Sequence, residues 1–270
     1  MQGNKLKEIW ASGQPVLNGW CSIGNPFTAE IMAGQGYDAV TVDVQHGALD
    51  YAALLPMLQA VRASGVVPMA RVPWLEPGII MKALDAGALG IICPMVNTRE
   101  DAEALVSYMR YPPLGQRSFG PTRAAVAIPG YGVEANAEVL AMAMIETADG
   151  VRNLDEICAT PGLDGVYVGP ADLTLGTQEG RLPPALDREE EEMIAIIRRI
   201  ADVCQANGIE AGIHCGTPEY ALRAIQWGYS WTSVAADSRL LAAAAGASVA
   251  SWRSLTGRDD QAEVKSGSIY

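Results

Sequence analysis

The chain has 270 residues, 49% of them hydrophobic and 19% charged, with a formal net charge of -12. That length and composition fit one globular domain with a large core, in the size range of an α/β barrel. The acidic balance argues against nucleic acid or an anionic membrane as partner, though a local cationic pocket can still take an anionic substrate.

Short apolar runs alternate with helical patterns along the whole chain. Met1 to Trp10 is polar and lysine-bearing, with no signal-peptide core. Val16–Trp20 reads as a first strand and Thr28–Gly34 as its helix. Asp38–Asp43 is a second strand, followed by an amphipathic helix from Asp50 to Ala63. Val67–Arg71 is the third strand and Pro77–Ala86 its helix, stopped by Gly87. Leu89–Cys93 is the fourth strand and Arg99–Arg110 its helix. Tyr111 to Asn136 is a long Pro- and Gly-rich stretch, read as a functional loop or an interface arm. Val139–Glu146 is the fifth strand, with a helix from Gly150 to Ala159. Asp164–Val168 is the sixth, with a loop around Gly176–Pro184 and a charged helix over Asp187–Asn207. Glu210–His214 is the seventh strand and Pro218–Trp227 its helix. Ser230–Ala235 is the eighth, and an alanine-rich helix from Ser238 to Leu255 follows. From Thr256 on, a frayed polar tail is expected. No run reaches the roughly 20 apolar residues of a membrane span, so a cytoplasmic protein is expected. Cys21, Cys93, Cys158, Cys204 and Cys215 form no C-x-x-C pair and read as reduced thiols.

Eight β-then-α units predict a single (β/α)8 TIM barrel of the α/β class. The alternative is a doubly wound open sheet. Its dinucleotide form would place G-x-G-x-x-G after the first strand, where this chain has CSIGNPF.

In such barrels the chemistry gathers at the C-terminal ends of the strands. Those positions hold Asp43, then Gln45 and His46; Arg71; Glu146; Gly169 to Asp172; and His214. Glu146 and Asp172 are candidate ligands for a hard divalent cation, which prefers oxygen and keeps open positions. Asp172 could instead N-cap the turn beginning at Leu173. Arg71 could grip a substrate carboxylate through two parallel hydrogen bonds, or form a structural ion pair. His46 could move protons, and His214 is equally well a packing residue. Trp20, Trp74 and Leu175 are candidate lining residues, each also explained as packing. The only lysines are Lys5, Lys7, Lys82 and Lys265, none at a strand end, so a Schiff-base mechanism is not expected.

The segments V-D-V-Q-H-G (42–47), P-M-A-R-V-P-W (68–74), K-A-L-D-A-G-A-L-G-I-I-C-P-M-V (82–96), R-Y-P-P-L-G-Q-R-S-F-G-P-T-R-A (110–124), I-E-T (145–147) and G-L-D-G-V-Y-V-G-P-A-D-L (162–173) closely resemble the HpcH/HpaI family of class II pyruvate aldolases. The resemblance covers about residues 5–250. It implies a hexamer, a trimer of dimers with exchanged C-terminal helices. It implies that Glu146 and Asp172 bind a divalent metal (Mg2+, Mn2+ or Co2+) and that Arg71 contacts the carboxylate or enolate of pyruvate. His46 would assist proton transfer, with Asp85 reaching it from a neighbouring subunit. The backbone around Gly169, Ala171 and Asp172 would hold the substrate carboxylate, and Asp43 would shape the metal's surroundings. Many relatives have Glu where this chain has Gln45, so no role of that glutamate carries over.

The expected reaction is reversible aldol addition of a pyruvate or hydroxypyruvate enolate to an aldehyde, with the aldehyde held near the Tyr111–Asn136 loop. The rival is a CoA-ester lyase of the citrate-lyase β or malyl-CoA type, which needs a basic surface for the adenine nucleotide. A second rival is a non-catalytic barrel.

Overall fold

Eight short apolar runs form eight parallel strands: β1 (Val16–Cys21), β2 (Ala39–Asp43), β3 (Val67–Arg71), β4 (Gly90–Cys93), β5 (Leu140–Ile145), β6 (Gly165–Val168), β7 (Glu210–Cys215) and β8 (Trp231–Val234). Each pairs with the next in sequence, and β8 closes onto β1, giving the expected closed barrel. The computed structural model describes residue 1 and residues 3–258; the expected polar tail lies outside them from residue 259, while Thr256 ends the last helix.

The barrel interior is filled by pairing large side chains with glycines on the neighbouring strand. Met69 packs over Gly90, Met142 over Gly165 and Tyr167 over Gly212. A β-carbon on Gly165 would lie 2.5 Å from Met142 Cε, and one on Gly212 would lie 2.6 Å from Tyr167 Cδ2. Polar side chains inside the barrel satisfy one another, as burial demands. Asn18 Nδ2 donates to Ser233 Oγ at 2.8 Å, and Thr41 Oγ1 donates to Asn18 Oδ1 at 3.1 Å. The Tyr167 and Ser233 hydroxyls share a 2.6 Å bond.

Several helices depart from the sequence expectation. The polar start holds a helix, Lys5–Ala11, capped by the Asn4 side chain, which accepts from the Leu6 amide. Leu6 is fully buried, and Trp10 Nε1 donates to the Ser230 carbonyl at the base of β8. This helix therefore closes the N-terminal end of the barrel. The helix expected over Gly150–Ala159 is two short ones, Ala148–Arg152 and Leu154–Cys158, broken at Asn153. The expected loop at Gly176–Pro184 begins late, because helix Pro170–Gln178 starts directly after β6. The helix expected from Asp187 starts at Glu191. Asp187 is diverted: its carboxylate accepts from the Gly216 amide at 2.6 Å and from Thr217 Oγ1 at 2.7 Å.

The Tyr111–Asn136 stretch carries a short helix, Thr122–Ala127. It leads from a helix C-terminus into the start of β5, so it lies at the N-terminal end of the barrel, remote from the mouth. The last helix, Asp237–Thr256, runs 20 residues and buries only Asp237.

Replacing Gly212 by Val overpacks the interior against Tyr167. The expected loss is about 1–3 kcal/mol, read as a lower denaturation midpoint at unchanged slope; an unchanged midpoint contradicts the packing described.

Candidate active site

A cavity of about 390 Å³ opens at the C-terminal ends of the strands. Trp20, Asp43, His46, Arg71, Tyr167, Gly169, Ala171, Asp172, His214 and Arg239 are among its lining residues.

Asp43 ends β2 and is 2% exposed. A charge so placed must be paired. Arg71, at the end of β3 and in register with Asp43, supplies a fork. Its Nε donates to Oδ1 at 2.9 Å and its Nη2 to Oδ2 at 2.6 Å. Trp20 Nε1 donates to Oδ2 at 3.3 Å, and the amides of Gln45 and His46 donate to Oδ1 at 3.1 and 3.2 Å. Burial alone would raise the Asp43 pKa; the Arg71 fork outweighs it and holds the carboxyl below its usual range. The guanidinium also lies over the Trp20 ring, 4.9 Å from its centroid. Arg71 is thus an ion-pair partner first, with Nη1 left unbonded among the described residues.

Glu146 follows the last residue of β5 and is 2% exposed. Its Oε1 accepts from the Met95 amide at 2.8 Å. Met95 holds a left-handed backbone, φ 56°, which turns that amide inward. Burial pushes the Glu146 carboxyl up to about 7, and the charge of Asp172 adds to the rise. The Met95 amide and Arg71 pull the other way.

Asp172 is the third residue of helix Pro170–Gln178 and lines the cavity. Gly169 is the N-cap, without a side-chain cap bond, so the capping alternative for Asp172 does not hold. Two glycines bring this helix against the end of β5. A β-carbon on Gly169 would sit 2.9 Å from Glu146 Oε2, and one on Gly176 would sit 2.9 Å from Thr147 Cα. The amides of Ala171 and Asp172 occupy the first turn, where helical N–H groups lack intrahelical partners and attract anions.

His46 is exposed on the rim. His214 presents its ring edge-on to Trp20, with centroids 4.9 Å apart. Burial first, then the charges of Arg71 and Arg239, push the His214 imidazole down to about 3, against the opposing pull of Asp43. Gln45 reaches the site only through its backbone; its Oε1 is buried without a partner. Asp85 is not brought to the mouth of its own chain. It ends helix Pro77–Asp85, at the opposite end of the barrel, and accepts from Arg117 Nη2 at 2.7 Å. Trp20 lines the cavity, whereas Trp74 and Leu175 are exposed outside it. No residue of the 111–136 stretch lines it, which corrects the expected placement of the aldehyde beside that loop within one chain.

Three lining or bracing groups escaped the sequence reading. Met95 acts through a backbone angle that no side-chain pattern reveals. Ser238 and Arg239 stand just past β8, a strand-end position, but were absorbed into the last helix. Among the described residues no lysine lines the cavity, and no three His, Cys, Asp or Glu side chains cluster as a metal cage. The described cysteines are all free and buried.

The family model of HpcH/HpaI aldolase/citrate lyase matches residues 18–244. A hydroxypyruvate/pyruvate aldolase of Rhizorhabdus wittichii is 40% identical over 253 residues, spanning 93% of this chain and 100% of that protein. A hydroxypyruvate/pyruvate aldolase of Deinococcus radiodurans is 35% identical, over 99% of this chain and 96% of that one. Among solved structures, an HpcH/HpaI aldolase/citrate lyase family protein from Burkholderia cenocepacia aligns with TM-score 0.84 and 31% identity, over 93% of this chain and 99% of that one.

The depressed His214 pKa carries a pH consequence. Unfolding frees an imidazole that protonates near 6.5, while the folded one resists down to about 3. The associated stability is present above pH 6.5 and is lost as pH falls towards 3. His214→Gln removes this contribution, so its stability curve declines less than wild type across that window. Equal acid sensitivity of the two proteins would contradict the neutral buried imidazole.

Proposed function

The chain belongs to the HpcH/HpaI aldolase/citrate lyase family, and on that premise we propose that it is a carbon–carbon lyase that joins a pyruvate or hydroxypyruvate enolate to an aldehyde, and reverses that addition. The observation that carries this is the buried Glu146 carboxyl beside Gly169, raised further by the charge of Asp172 in the first turn of the next helix. The match of aldolases over nearly the whole chain favours this over a CoA-ester lyase.

Two opposed carboxylates, one with an oxygen that accepts no hydrogen bond among the described residues, suit a hard divalent cation with open positions. Glu146 and Asp172 would hold Mg2+, Mn2+ or Co2+, which supplies Lewis acidity at the keto oxygen of the donor when bound. The amides of Ala171 and Asp172, beside Gly169, hold the donor carboxylate at the helix N-terminus. Arg71 Nη1 faces the charge that develops on the enolate, and Asp43 keeps that guanidinium in place. His46 moves the proton at C3 of the donor. Trp20 and Tyr167 wall the site against water, their rings 5.7 Å apart.

The assembly belongs to the same proposal: a cytoplasmic hexamer, three dimers whose last helices are exchanged. Helix Asp237–Thr256 leaves Leu241, Val249 and Trp252 exposed. An apolar groove of about 210 Å³, lined by Val16, Leu17, Leu222 and Ile225 among others, lies open beside β1 and β8. In a closed barrel that position wants a covering helix, and the helix of a second copy suits it. Asp85, held by Arg117 at the far end of the barrel, would then meet His46 of a neighbour.

Pyruvate C3 protons should exchange with deuterium in the presence of Mn2+ or Mg2+, and excess chelator should stop it. Glu146→Gln should slow exchange on the order of 100-fold. Full exchange in excess chelator ends this reading. Light scattering should give the mass of six chains, and the double variant Leu241→Asp with Trp252→Asp should give a smaller species; an unchanged mass argues against exchange of the helix.

A further inference from the structure

We propose that Arg239 anchors an anionic group, a carboxylate or a phosphate, on the aldehyde acceptor, and so sets which aldehydes this chain takes. The inference rests on the aldolase reading above and assigns the substrate class of its second site.

Arg239 lines the cavity and makes no ion pair or hydrogen bond among the described residues. Of the two arginines in the cavity wall, Arg71 is spent on Asp43 and Arg239 is left over. The acidic side chains that share the cavity wall are Asp43 and Asp172. Asp43 is saturated by Arg71, Trp20 and two amides. Asp172 stands in the first turn of the helix after β6, two strands away from β8 in the barrel order. Arg239 is therefore a cation facing the cavity with no counterion of its own.

Its position is fixed. The neighbouring Asp237 carboxylate accepts from the Ser22 amide at 2.8 Å, Ser22 Oγ at 2.9 Å, the Ile23 amide at 3.2 Å and the Ser238 amide at 2.7 Å. Ser22 Oγ and Ser238 Oγ share a 2.9 Å bond. The root of the last helix is thus bolted to the end of β1, and Arg239 stands in the first turn above that bolt.

Its surroundings favour an anion. His214, within reach of its charge, stays neutral and can offer a ring N–H without adding a competing charge. A guanidinium matches the planar, two-oxygen geometry of a carboxylate or phosphate. The donor carboxylate is already provided for at the helix N-terminus after β6, so a second anion site on the β8 side fits the other reactant. Against a net charge of -12, an anionic aldehyde gains little from the surface and needs such a local cation.

The test measures addition of pyruvate to glyoxylate and succinic semialdehyde (carboxylates), glyceraldehyde 3-phosphate (phosphate) and glyceraldehyde (neutral). Wild type, Arg239→Gln and Arg239→Lys are compared. The preference for anionic over neutral acceptor, as a ratio of kcat/KM, should fall at least 10-fold in Arg239→Gln. The change should appear mainly in KM, and Arg239→Lys should restore part of it. Loss in the carboxylate arms or in the phosphate arm identifies the anion. An unchanged ratio, or an equal fall for all four aldehydes, overturns the proposal. Pyruvate C3 exchange is followed in parallel: its absence from the wild-type chain would refute the aldolase reading itself, whereas exchange with an unchanged ratio refutes only the role of Arg239.

Discussion

A buried aspartate, Asp43, organises the mouth of this barrel. Its charge is almost closed to water, and five hydrogen bonds converge on it from three directions. The Arg71 fork ties β2 to β3, the Trp20 indole ties in β1, and two amides shape the turn that carries His46. An isolated carboxylate at this depth would be strongly disfavoured, and breaking a buried pair typically costs about 3–5 kcal/mol. Removing Asp43 therefore does more than delete one charge: it releases the turn that carries the rim histidine and the tryptophan wall together.

The opposite side of the mouth is built on repulsion. Glu146 and Asp172 lie close enough for the charge of one to oppose that of the other, and burial of Glu146 sharpens the conflict. Two glycines create this arrangement by letting the helix after β6 settle onto the end of β5. A methyl group at either position would meet Glu146 or the backbone behind it. One half of the mouth is thus electrically satisfied, and the other is left wanting positive charge.

The architecture was legible because each strand is a short apolar run ended by a glycine, a charge or a polar turn, and because the barrel puts chemistry at strand ends. Strand positions read from the residues agree with the observed ones to within one or two residues. Glu146 and Asp172 stood out in the sequence as carboxylates at such ends; Asp172 lines the cavity, and Glu146 lies buried at the end of β5, beside Gly169. What stayed hidden depends on groups distant in the chain. The helix start at Glu191 moved because the Asp187 side chain is spent on Gly216 and Thr217. Met95 contributes through a positive φ, and Arg239 matters through the partners it lacks. The long 111–136 stretch read from composition as a functional loop or an interface arm; chain direction puts it at the end away from the mouth.

The short helix Lys5–Ala11 seals the floor of the barrel, with Leu6 fully buried and Trp10 resting on Trp231. Beneath the mouth the interior is packed with methionine and tyrosine, so the cavity is reached from the C-terminal ends of the strands. Donor, acceptor and product must share a single doorway. The molecule that docks deepest has to arrive first and depart last, and the queue is imposed by architecture before any chemistry begins.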